Sequence, residues 1–149
     1  MTRVQQLLDQ KGRRVWSTDP DATVFDAISK MTDKDIGSLV VMEGEQLLGI
    51  ITERHYVRNV VLKGKTSSAT PVRDIMEIHA VVAQPQQSVD QCMALMSAKR
   101  VRYLPVFEGK KLIGIISIGD LVKSTIGDQK FLIAQLEHYI RGGLASVDG

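Results

Sequence analysis

The chain repeats itself. Sliding the 149-residue sequence along itself by 65 places aligns IGSLVVMEGEQLLGIITERHYVR, from Ile36, with VRYLPVFEGKKLIGIISIGDLVK, from Val101, without a gap. Carried back to Pro20 and Pro85, the match covers 39 pairs, of which 13 are identical, Val24/Val89, Met31/Met96, Leu47/Leu112 and Gly49/Gly114 among them. A unit this short cannot bury its apolar face alone, so a duplicated unit requires the two copies to pack on each other.

Each copy carries the same order of elements. A short extended piece, VWS in the first and AVVA in the second, leads to a proline and then to a helix, TVFDAISKMT (Thr23 to Thr32) or SVDQCMALMS (Ser88 to Ser97). Thr23-x-x-Asp26 and the capping box Ser88-x-x-Gln91 predict the helix starts. Val89, Met93 and Met96 then fall on one face, which favours a core over a methionine-lined cofactor stripe. Two apolar, β-branched runs around Glu43-Gly44 and Glu108-Gly109 predict hairpins. Pro105 lacks an amide donor, so it points to a strand edge or a break in the ladder. A second helix is expected after each hairpin, in ERHYVRNVVLK and IGDLVKSTI. VQQLLDQ, with Val4, Leu7 and Leu8 at helical spacing, and KFLIAQLEHYI, with Leu132, Leu136 and Ile140, predict flanking helices docked on the repeats. Ile133 and Tyr139 lie off that stripe and suit either a dimer contact or ordinary burial. The turn-rich stretch from Gly64 to Met76 reads as a linker. By this reading residues 1–66 hold the N-terminal helix and first repeat, 67–75 the linker, 76–141 the second repeat and C-terminal helix, and 142–149 a tail.

Composition narrows the function. With 44% hydrophobic and 24% charged residues the chain has the balance of a globular domain. No apolar run reaches the roughly 18 residues needed to cross a bilayer, and the N-terminal MTRVQQLLDQKGRR does not read as a secretory signal. A cytoplasmic address without membrane attachment is expected. One cysteine excludes an intrachain disulfide, and with three scattered histidines it makes no zinc-ligand spacing. Cys92 therefore reads as a small buried hydrophobe, and His79 and His138 as surface or satisfied polar positions. A net charge of +2 is too small to argue for nucleic acid, although Arg54, Arg58, Lys63, Lys65, Arg100, Arg102, Lys110 and Lys111 keep that as a weak alternative. There is no phosphate-binding GxxxxGK[ST], no GxSxG, no HExxH and no GxGxxG, so no catalysis is expected.

The duplicated hairpins ending GIIT and GIIS, the segment RYLPVFEGKKLIGIIS and the terminal SIGD resemble a tandem cystathionine-β-synthase (CBS) domain pair, or Bateman module, of the stand-alone bacterial type. The resemblance runs from about Val4 to Ile140. It implies an α/β fold of two βαββα repeats related by a pseudo-twofold axis, each a small sheet with helices on one face, plus flanking N- and C-terminal helices. It also implies clefts that take adenosine-containing ligands (AMP, ADP, ATP, S-adenosylmethionine or NAD(H)), a disc-shaped homodimer and a protein partner still to be identified. A regulatory module is one reading; a ligand-free dimerisation scaffold is the other.

The same resemblance places ribose and phosphate binding at Ser117, Gly119 and Asp120. Asp120 would accept hydrogen bonds from a ribose diol, because a carboxylate offers acceptors only. Read as chemistry alone, Ser117-x-x-Asp120 is equally an ordinary N-cap with its N3 carboxylate. The adenine pocket is implied at Val81, Val82 and Ala83 with Arg102, Tyr103, Leu104 and Pro105. In the first copy the equivalent stretch is GIITERH, where Thr52 keeps the hydroxyl and His55 replaces the aspartate. That leaves a degenerate second site around Thr18 and Thr52, while Arg54, His55 and Arg58 either reach a phosphate or form a solvated basic face. Trp16 can stack on a ligand or pack beside the first core.

Overall fold

The computed structural model describes residues 2–78 and 80–148, with side-chain environments through Arg141. His79 therefore lies outside the described residues. The element order is α1 (Val4–Lys11), β1 (Ser17–Thr18), α2 (Val24–Lys34), β2 (Ser38–Glu43), β3 (Gln46–Thr52), α3 (Glu53–Tyr56), α4 (Val89–Lys99), β4 (Tyr103–Glu108), β5 (Lys111–Ser117) and α5 (Ile118–Asp148).

The capping signals act as read. Thr23 Oγ1 accepts from the Asp26 amide at 3.1 Å, and Ser88 and Gln91 exchange both bonds of a capping box at 3.1 and 2.9 Å. At the far ends Asp35 and Arg100, equivalent under the 65-residue shift, both take the left-handed conformation, at φ 54° and 56°. Each hairpin is antiparallel, and each slips its register at the same place, between Val41 and Met42 or between Val106 and Phe107. The duplication is thus kept down to a single bulge.

The copies differ in their first strand. β1 pairs in parallel with β2 to make a three-stranded sheet, whereas the second sheet has two strands plus one bridge, Ala83 to Val106. The expected AVVA strand shrinks to Ala83, whose amide and carbonyl bond Pro105 and Phe107 at 2.9 Å. Ala80 and Val81 instead line a cavity between the repeats. Pro105 sits in β4, where among the described residues the only outer neighbour is that bridge.

The second helices also differ from expectation. In the first copy only Glu53–Tyr56 is α-helical, and Val57–Val61 opens into a π-turn with the Leu62 amide on the Val57 carbonyl. That wider turn puts Val60 in the core, 1% exposed. In the second copy the predicted helix and the predicted C-terminal helix are one element, α5, which continues to Asp148, into the residues expected as a tail. The expected docking of its C-terminal half is not found: Leu132, Leu136 and Ile140 are 59%, 54% and 58% exposed.

Two cores form, one per repeat, and each takes in a segment that precedes the other repeat. Val4, Leu7 and Leu8 of α1, assigned by sequence order to the first repeat, pack with Val89, Cys92, Met96, Leu104 and Ile116 of the second. Val72 and Ile75, from the stretch read as a linker, pack in the first. The crossings are symmetric. Val4 and Val89 donate to Gln87 and Thr2 carbonyls at 2.9 and 3.0 Å, as Val72 and Val24 donate to Ala22 and Thr70 at 2.8 Å. Glycine makes room for them: a Cβ on Gly114 would stand 2.7 Å from Leu8 Cδ2, and one on Gly49 would meet the Glu77 carbonyl. Residues 67–75 are therefore a structural strap, held by buried Val72, Ile75 and Thr70.

Candidate functional site

A cavity of about 190 Å3 opens between the repeats. Ile50 and Thr52 end β3 on one wall, Arg54, His55 and Arg58 follow on the next turns, and Glu77 comes from the strap's continuation. The second copy supplies Ala80 and Val81, then Lys99 and Arg100 at the end of α4, then Val101, Arg102 and Tyr103 leading into β4. An open depression of about 590 Å3 adjoins it, sharing Arg54, Arg58, Arg100, Val101 and Arg102.

Charge dominates this lining. Among the described residues, five cations, Arg54, Arg58, Lys99, Arg100 and Arg102, share the lining with one carboxylate, Glu77. The Arg54 guanidinium is pushed below its ordinary value by Arg102 and then by Arg58, so positive groups from both copies converge. Burial holds His55 below the usual imidazole value, with Arg54 and Arg58 adding to that and Glu77 opposing it. The His55 amide donates to Thr52 Oγ1, and the Thr52 amide donates to His55 Nδ1, both at 3.2 Å. With Nδ1 accepting, the neutral ring carries its proton on Nε2. Burial pushes the Tyr103 phenol up, Glu53 and Asp120 add to this and Arg102 opposes it. Its hydroxyl lies against Gly37, where a Cβ would collide with it, so Tyr103 stands at the junction of the two copies.

The remaining residues singled out in the sequence fall elsewhere. Ser117, Gly119 and Asp120 lie outside this lining. Ser117 and Asp120 form the cap: the Asp120 amide donates to Ser117 Oγ at 3.1 Å, and the Ser117 amide donates to Asp120 Oδ2 at 2.8 Å. That same Oδ2 accepts from Lys11 Nζ at 2.5 Å, while Lys11 also donates to the Ile115 carbonyl at 2.8 Å. Ala83, Leu104 and Pro105 are buried away from the cavity, and Val82 borders a separate surface depression beside the two hairpin turns. Thr18 pairs with Val41 in β1. Trp16 packs on the first core with Lys34, Arg14 and Lys30 over its ring at 4.4, 5.1 and 5.9 Å, so its faces are taken by the chain's own cations. Cys92 is buried, which raises its thiol.

Sequence reasoning missed Lys99 and Glu77 as site residues and named Arg100 only among the cations of the weak nucleic-acid alternative. A signal existed for Arg100: the shift that aligns the copies pairs it with Asp35, a reversal of charge at one left-handed helix end. For Glu77 there was none, since it reaches the site by bridging Ile50.

The CBS domain model matches residues 12–62 and 72–127. The chain belongs to the CBS domain family. It is 38% identical over 95% of its length to the mitochondrial CBS domain-containing protein CBSX3 of Arabidopsis thaliana, 73% of which is covered. That relative's address differs from the cytoplasmic one expected above. A signal-transduction protein with CBS domains from Burkholderia ambifaria, itself described as putative, superposes with a TM-score of 0.83 at 49% identity, covering 86% of this chain and 96% of that one. At 20% identity and a TM-score of 0.70, a CBS domain protein of Pyrobaculum aerophilum shares the fold over 79% of this chain and 88% of its own; that protein was solved in complex with AMP. Among the described residues no helix is long and apolar enough to cross a membrane, and no group of His, Cys, Asp and Glu is placed to hold a metal ion.

Proposed function

We propose that this CBS pair is a non-catalytic regulatory module that binds an adenine nucleotide in the cavity between its repeats and signals occupancy to a partner. The observation that carries this reading is the convergence of five cations from both copies on one small, partly apolar cavity. Arginine forks suit phosphate oxygens, and a phosphate there would relieve the repulsion among Arg54, Arg58 and Arg102. Val81, Val101 and Tyr103 supply an apolar wall for the base, and the neutral His55 can donate through Nε2 to a ribose or phosphate oxygen. Support from relatives is limited to fold and to the AMP held by the Pyrobaculum protein. AMP, ATP or NAD(H) all fit this chemistry.

The test is calorimetry with ATP, AMP and adenosine. Binding that weakens from ATP to adenosine, and about ten- to a hundredfold on Arg102→Ala, is expected from the loss of a charge-assisted bond. Absence of binding by all three compounds would sink the reading.

Homodimerisation belongs to the same proposal. Ile126, Ile133, Leu136 and Ile140 of α5 are 47% to 58% exposed. Light scattering of the purified chain, with Leu136→Asp as the disrupting variant, checks it. The alternative, a ligand-free scaffold, is favoured by one observation: Ser117 and Asp120 already satisfy each other as a cap. It predicts no nucleotide binding and a dimer unaffected by ATP.

A further inference from the structure

We propose that Lys11 is a built-in occupant that holds the second-copy cleft closed, so that the module takes one nucleotide where its duplicated fold provides for two. This rests on reading the open cavity as a nucleotide site. The 65-residue shift pairs Ile50 with Ile115, Thr52 with Ser117 and His55 with Asp120. In the first copy all three residues line the cavity. In the second, one ammonium group bridges the outer two, with Lys11 Nζ 2.8 Å from the Ile115 carbonyl and 2.5 Å from Asp120 Oδ2. Asp120 Oδ2 also takes the Ser117 amide, so one of the two carboxylate oxygens is already filled twice.

Lys11 is placed there by packing rather than by chance. It is the last residue of α1, whose Val4, Leu7 and Leu8 are 0%, 5% and 0% exposed in the core of the second repeat. The chain then leaves at Gly12 with φ 104°, a conformation that suits glycine. The helix thus delivers the lysine from a fixed base to a residue 109 positions away. The latch itself is light, since the Lys11 and Asp120 side chains keep 34% and 24% of their exposure. An ion pair this open is weakened by solvent, so removing the lysine costs little in folding while freeing the carboxylate.

The experiment is titration of ATP into wild type, Lys11→Met, Lys11→Gln and Lys11→Met/Asp120→Ala. Wild type takes one equivalent, weakened about ten- to a hundredfold on Arg102→Ala. Lys11→Met takes a second, at least about tenfold tighter than any second event in wild type, and the double variant returns to one. Met keeps the apolar stem; Gln serves should Met perturb folding, and thermal melts confirm that α1 remains docked. One equivalent for both Lys11 variants overturns the latch while leaving the nucleotide reading intact, as does weaker binding, which would make Lys11 a phosphate anchor. If wild type binds nothing but Lys11→Met binds one equivalent that Asp120→Ala abolishes, the latch stands and the open cavity is not the site. No binding by any variant overturns both.

Discussion

GIITERH and GIISIGD occupy equivalent turns of the two copies, and they show how one local solution supports two different clefts. In both, the hydroxyl residue caps the next helix and the third residue on returns a bond to its amide, through His55 Nδ1 in one copy and Asp120 Oδ2 in the other. The cap tolerates the exchange because it needs only one acceptor at that position. What the exchange decides is the environment beyond. A carboxylate attracts Lys11 and the cleft is bridged; a neutral imidazole does not, and the first-copy side stays open among arginines. Divergence after duplication is thus tested by charge while the backbone is preserved.

The largest expected effect bears on the crossings rather than the clefts. Leu8→Ala empties a fully buried position between α1 and Gly114 and should cost about 2 to 5 kcal/mol in denaturant unfolding. Val72→Ala, in the opposite crossing, removes less volume and should cost less. Equal losses would mean that the two crossings are not energetically alike in the way their hydrogen bonds suggest.

The caps come next. Ser117→Ala and Thr52→Ala should each lower stability by around 1 kcal/mol, measured without nucleotide. A loss confined to Ser117→Ala would break the equivalence of the two turns. Proton linkage separates the copies further. His55 is held below its ordinary pKa chiefly by burial, so the unfolded chain binds the extra proton first as pH falls. Its contribution is fully present above the unfolded value near 6.5 and is lost as pH drops toward the folded value. Melting temperature should therefore fall between pH 7 and 5, and His55→Gln should flatten that component. An unchanged slope would place the titration elsewhere.

The smallest effect is expected at the exposed end of α5. Ile140→Ser should leave the stability of a single chain within about 0.5 kcal/mol, as measured by unfolding at high dilution, because its side chain is 58% exposed. The contrast with Leu8, another aliphatic residue on a flanking helix, isolates burial from residue type.

Local signals made much of this legible. The repeat, the hairpins, the helix starts at Thr23 and Ser88, and the apolar stripe on α1 are short-range patterns, and a short-range pattern survives in any window of sequence that contains it. Arg54, His55, Arg58, Val81, Arg102 and Tyr103 were also readable as candidates, and one cavity collects them. Nothing in a window says which core a helix will enter. α1 precedes the first repeat yet completes the second, because the pseudo-twofold arrangement exchanges the two crossing segments. Nor does periodicity reveal that the linker is a strap or that the last two helices fuse into α5.

Residue type along the chain thus determined the duplicated βαββα pattern, the caps and the identity of the charges, since each depends on neighbours a few positions away. The tertiary structure alone decided that Lys11 meets Asp120, that Lys99 and Arg100 line one cavity with Arg54, and that one cleft stands open. Those outcomes join residues tens of positions apart, and their energies exist only once packing has brought the two copies together.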